Sequence, residues 1–191
     1  MPSTFSHKLL VAALALACAL VAAPAAGAQT AATSGGGASY VPPPPPPAKG
    51  ALRDGRLVAP ASAPRRIKRV IRAANQIVEL PYVYGGGHTT YRSGRLDRGY
   101  DCSGAVSYAL HGGSFLRSPL PSGMLMNWGH RGPGQWITVY AHGGHAYVVV
   151  AGYRFDTSMH DRDAPGPSTG PRWSSSLRTS SAFVARHPRG Y

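Results

Sequence analysis

From Arg65 onward the apolar residues recur with a helical period. Ile67, Val70, Ile71, Ala74, Ile77 and Val78 share one face, and Pro81 ends the run. A second, shorter helix is expected over Cys102–Leu110, capped by Asp101 and closed by Gly112 and Gly113. The period then changes. Trp136–Ala141, His145–Ala151, Tyr153–Asp156 and Ala182–Arg186 read as strands, and Asp161–Ser176 reads as a loop rich in Pro, Gly and Ser. Two helices followed by strands predict an α+β domain, with the helices packed on a small antiparallel sheet.

The first 64 residues follow a different pattern. Met1–Lys8 is polar with a basic end, Leu9–Ala23 is apolar, and Ala26, Gly27 and Ala28 form a small-x-small cleavage signal. Residues 1–28 are therefore expected to be a signal peptide and Gln29 the mature N-terminus. Lipidation at Cys18 is the rival reading. Against it, Leu20, Val21 and Ala22 continue the apolar run past that cysteine. Residues 29–64 read as a linker, with a flexible Ser34–Gly37 stretch and a Pro42–Pro47 run that favours extended polyproline II. The globular domain is placed at 65–191.

Composition narrows the function class. Lys and Arg total 20 against 7 Asp and Glu, a formal net charge of +13. Outside the first 30 residues no apolar run reaches 18, so no stable membrane span is expected after signal cleavage. The basic residues are scattered and form no nucleic-acid-binding module, so no nucleic-acid partner is expected. Arg65, Arg66, Lys68, Arg69 and Arg72 crowd the first helix, and anionic envelope polymers are a simpler use for such charge in an exported protein. The protein is expected to be a monomer in the periplasm, the cell wall or the medium.

Of the two cysteines, signal cleavage leaves only Cys102. An unpaired thiol in an exported chain is a candidate reactive group. Asp101-Cys102-Ser103-Gly104 puts it at a helix N-terminus, where free N–H groups and the helix dipole stabilise a thiolate. A thiolate needs an imidazole for proton transfer. His145 is the strongest candidate, because it follows Gly143 and Gly144 and opens a strand that holds its ring. His111, His130, His160 and His187 sit in loops or at helix ends, while His88 and His142 stand beside glycines. A third group should orient the imidazole. With Ala151-Gly152 as a two-residue turn, Val150 pairs with Tyr153, and His145 and Asp156 become diagonal neighbours on one face, within side-chain reach.

The residues Pro81-Tyr82-Val83-Tyr84-Gly85-Gly86, then Asp101-Cys102-Ser103-Gly104-Ala105-Val106, then Gly144-His145 running into an apolar strand, resemble the NlpC/p60 family of bacterial cell-wall cysteine peptidases. The resemblance covers roughly Leu80 to Thr157. It implies a papain-like α+β core, a Cys102 nucleophile and a His145 base, with Tyr82 approaching the thiol or its oxyanion site. Asp101 and Ser103 are supporting residues. It further implies cleavage of peptidoglycan stem peptides, typically between D-glutamate and a diamino acid. Two positions depart from the pattern. Asp156 stands where the family often has His, and Gly134-Gln135-Trp136 replaces the usual Pro-Gly-Asp turn.

Other chemistries fit less well. His142 and His145 with Cys102 and Asp156 offer zinc-ligating atoms, but the His pair is not on a helix and lacks an intervening Glu. No metal or cofactor is therefore expected. An amidase or acyltransferase on the same scaffold, or a catalytically silent envelope-binding module, are the alternative functions.

Overall fold

A computed structural model describes residues 46–89, 91, 94–158, 170–178 and 181–191. The signal-peptide and Cys18 expectations, and most of the proline run, lie outside them. The elements in chain order are β1 (Ala51–Arg53), β2 (Arg56–Val58), α1 (Arg65–Ile77), α2 (Cys102–Gly112), α3 (Ser122–Leu125), β3 (His130–Arg131), β4 (Ile137–His142), β5 (His145–Val150), β6 (Tyr153–Asp156), β7 (Arg172–Ser174) and β8 (Val184–His187).

α1 forms where the periodicity places it. Ile67, Val70, Ala74 and Ile77 are wholly buried. Each of the three larger side chains contributes about 1.5–3 kcal/mol by leaving water. α2 is shorter and less amphipathic, since Ala105, Val106, Ala109 and Leu110 are all buried between α1 and the sheet. Its N-terminus is fixed by Asp101, whose carboxylate accepts the Gly104 N–H at 2.7 Å. Gly104 is required by close approach, because a Cβ there would sit 2.1 Å from the Gly86 carbonyl oxygen.

β3–β8 form one sheet in the order β3-β8-β4-β5-β6-β7, antiparallel throughout. The fold is α+β, with helices packed on an antiparallel sheet. β5 and β6 meet with Val150 opposite Tyr153, and the intervening Ala151 and Gly152 both have positive φ (48° and 81°). That is the two-residue turn whose twist matches the strands it joins.

Two segments differ from the sequence expectation. β1 and β2 form a hairpin inside the stretch read as a linker, so the folded region starts before Arg65. Leu57 is buried in the core, and its N–H and C=O both bond the Asn75 side-chain amide of α1, at 3.0 and 2.9 Å. Gly50 N–H further bonds the Ala151 carbonyl at 2.9 Å. The second difference is β7, inside the expected loop Asp161–Ser176. Trp173 is buried there against Phe155 and donates its indole N–H to Asn75 Oδ1 at 2.8 Å. Residues 161–169 of that loop lie outside the described set. Among the described residues no helix is long and apolar enough to cross a membrane.

Candidate active site

Cys102 is the first residue of α2 and is partly exposed. Its position is set by the carboxylate before it. Asp101 accepts the N–H groups of Gly104 (2.7 Å) and Gly85 (3.1 Å), the Ser103 hydroxyl (3.1 Å) and the His88 Nε2 (3.0 Å). The Gly85–Gly87 loop is thereby fastened to the start of α2. Asp101 and Ser103 are both buried, and both act on the backbone and loop around the thiol. Tyr82 enters by another route. Its segment bridges to Tyr100 in a short parallel pairing, and the ring remains 41% exposed. Partial burial raises the phenol pKa first, with further increments from the charges of Cys102, Asp101 and Tyr84.

His145 opens β5, immediately after the Gly143-Gly144 turn. Its Nε2 lies 2.8 Å from Asp156 Oδ1. An ionised carboxylate only accepts, so the ring proton is on Nε2 and Nδ1 is the atom left for Cys102. Burial alone would lower the His145 pKa. Hydrogen bonds with Asp156 and Cys102, and the charge of both, outweigh that and push it up to about 9. The imidazolium is thus the favoured form near neutrality.

Asp156 ends β6 and is buried. Desolvation alone would raise its pKa, but the hydrogen bond and charge of His145, the Ser158 N–H and the Arg154 guanidinium hold it below the usual carboxylate value. The Ser158 N–H donates to Oδ1 at 3.0 Å, Arg178 Nη1 lies 3.3 Å from Oδ2, and Arg154 Nε lies 3.6 Å from Oδ2. Ser158 and Arg178 are absent from the sequence-derived site. Asp156-Thr157-Ser158 carried a local signal, because Asp followed two residues later by a backbone donor is an Asx turn. Arg178 is 22 residues from Asp156 and carried none.

The remaining histidines hold structural contacts. His142 Nδ1 accepts the Gly144 N–H at 3.0 Å, with its ring 4.4 Å from that of Phe183. His111 and His187 each pair through Nδ1 with a backbone carbonyl, of Leu116 and Gly132 respectively. His130 pairs by ring contact with His187. His160 lies outside the described residues. Among the described residues no group of three or more His, Cys, Asp or Glu is arranged to hold a metal ion.

No protein-family model and no curated protein matches the chain. Solved structures do. A mutant of the Resuscitation Promoting Factor Interacting protein RipA is 22% identical over 74% of this chain and 70% of its own, with a TM-score of 0.45. A hypothetical invasion protein of Mycobacterium tuberculosis is 23% identical over 73% of this chain and 69% of its own, with a TM-score of 0.44. RipD of the same organism, described as a non-catalytic NlpC/p60 domain protein adapted to peptidoglycan binding, is 18% identical over 65% of this chain and 98% of its own, with a TM-score of 0.44. Any assignment of chemistry to this chain therefore rests on its own residues.

Proposed function

We propose that this protein is an exported thiol hydrolase that cleaves peptide bonds in peptidoglycan stem peptides, at the bond between D-glutamate and a diamino acid. The observation that carries the chemical half of this reading is a partly exposed thiol at a helix N-terminus, together with a histidine that a buried aspartate holds at 2.8 Å and whose pKa is raised in part by that thiol. The resemblance of the Tyr82, Cys102 and His145 segments to the NlpC/p60 pattern supports the substrate half, together with the N-terminal signal and the net charge of +13.

The chemistry follows from the geometry. The Cys102 thiolate attacks the scissile carbonyl carbon, and the C–N bond breaks as His145 passes its Nδ1 proton to the leaving amine. A thioester remains on Sγ. Neutral His145 then takes a proton from water, the hydroxide displaces the thiolate, and the acid product leaves with the imidazolium restored. Asp156 keeps the ring oriented and stabilises its charged form. The first N–H groups of α2 lie beside the attacked carbonyl, where developing oxyanion charge is stabilised, and Tyr82 flanks the same space.

Digestion of purified muropeptides, followed by mass spectrometry, tests this. Wild-type protein is expected to release a fragment with a new amine on the diamino acid, and Cys102→Ala to release none. Wild-type turnover by Cys102→Ala overturns the thiol chemistry. A reactive Cys102 in a protein that binds muropeptides without cutting them overturns the peptidase half. N-terminal sequencing of secreted protein is expected to begin at Gln29, and a lipid-bearing Cys18 would replace release with membrane anchoring.

A further inference from the structure

Arg178 lies in the connection between β7 and β8, and contacts of three kinds fix it in place. Its backbone carbonyl accepts the Tyr147 hydroxyl at 3.2 Å. Its guanidinium lies 5.8 Å from the Tyr147 ring centre and 5.4 Å from that of Phe183. Its Nη1 donates to Ser158 Oγ at 2.7 Å and to Asp156 Oδ2 at 3.3 Å. An arginine on a flexible stem would not satisfy all of these without a built seat.

The hydrogen-bond inventory around Asp156 then closes. Oδ1 receives the His145 Nε2 proton (2.8 Å) and the Ser158 N–H (3.0 Å). Oδ2 receives Arg178 at 3.3 Å, with the buried Arg154 Nε at the longer distance of 3.6 Å. Ser158 Oγ accepts from Arg178, so its single proton is free for the carboxylate at 3.3–3.4 Å. Ser158 Oγ also lies 3.2 Å from His145 Nε2, so the hydroxyl closes the space into which the ring would otherwise tilt. With one oxygen held by the imidazole and the other by a guanidinium, the carboxylate does not rotate about its Cβ–Cγ bond.

We propose that Arg178 is a positioning residue that acts through Ser158 and Asp156 to hold the His145 imidazole in line with Cys102. The inference rests on the reading of Cys102, His145 and Asp156 given above. It assigns Arg178 no contact with substrate. Two features of Arg suit the task. Its charge stays on at any working pH, and its rigid planar guanidinium holds one Nη against both Ser158 Oγ and Asp156 Oδ2 in a pre-organised geometry that a flexible lysine stem does not supply.

The test is the rate at which iodoacetamide alkylates Cys102 at pH 7, read alongside the NMR signal of the His145 Nε2 proton. Wild type is expected to react faster than a model thiol and to show a slowly exchanging Nε2 proton. Arg178→Ala should slow alkylation by about 10- to 100-fold, the worth of one charge-assisted hydrogen bond, and should lose that proton to rapid exchange. Guanidinium ion added to Arg178→Ala should restore much of the rate, because the Arg178 side chain is 36% exposed and the vacated seat is reachable. Arg178→Lys should fall between the two. Should Arg178→Ala fail to fold, Arg178→Lys and Ser158→Ala carry the same two readouts. A wild-type rate and an intact Nε2 signal in these variants overturn the proposal and leave the three site residues standing. A wild-type thiol no faster than the model compound overturns the underlying reading instead.

Discussion

Two aspartates flank the candidate nucleophile, and each gathers a histidine and a serine. Asp101 holds His88 Nε2 at 3.0 Å and the Ser103 hydroxyl at 3.1 Å, with His88 and Ser103 3.2 Å apart. Asp156 holds His145 Nε2 at 2.8 Å and Ser158, and His145 and Ser158 are also 3.2 Å apart. The residue types and spacings nearly coincide, yet the surroundings differ. Asp101 spends its capacity on two backbone N–H groups that fasten α2 to the glycine loop. Asp156 accepts one backbone N–H, from the turn just after it, and lies within reach of two arginines. In the second cluster the His145 pKa is pushed up to about 9. A carboxylate–imidazole pair is therefore an electrostatic device or a fastener according to what else the carboxylate holds.

Asp156→Asn should break the comparison most visibly. Asn keeps the shape but offers the ring a neutral partner, so a loss on the order of 10- to 10⁴-fold in turnover is expected, with binding of a substrate fragment little changed. Unchanged turnover would leave a Cys102–His145 dyad. Asp101→Ala sharpens the other side. It leaves the Gly85 and Gly104 N–H groups without their acceptor, and should cost about 2–3 kcal/mol in urea unfolding. Asp101→Ala that unfolds at the wild-type urea concentration would remove the fastening role.

A third effect is a pH dependence. The His145 pKa is raised from 6.5 to about 9 on folding. Its contribution to stability is therefore complete below about 6.5 and is lost as the pH rises through about 9. The difference in Tm between wild type and His145→Gln should shrink across that window. A gap that widens there would mean that the imidazole is held neutral.

The legible parts of the molecule were those with strong periodicity or strict turn geometry. α1, α2 and β4–β6 follow from apolar spacing, and the Ala151-Gly152 turn alone predicts that His145 and Asp156 share a face, as they do. The β1–β2 hairpin was obscured by its setting. Asp54-Gly55 is a strong hairpin signal, and both residues adopt positive φ, but three-residue strands amid Pro and Ala carry too little alternation to outweigh the composition. β7 was hidden for a similar reason, since its neighbours are Pro171 and a run of serines. Arg178 was illegible because nothing local distinguishes an arginine that reaches a carboxylate from one that faces solvent.

The bond from Gly50 to Ala151 also has a mechanical side. Tension on the chain ahead of Lys49 meets the folded region there, before it reaches the β1–β2 pairing. Ala151 sits in the turn that sets the alignment of β5 against β6, and so of His145 against Asp156. A pull applied at Gly50 would be delivered to the corner of the hairpin that carries both residues, while the start of α2 is tied down separately by Asp101. A load applied at Gly50 would thus reach the hairpin carrying the histidine before it reaches the start of α2.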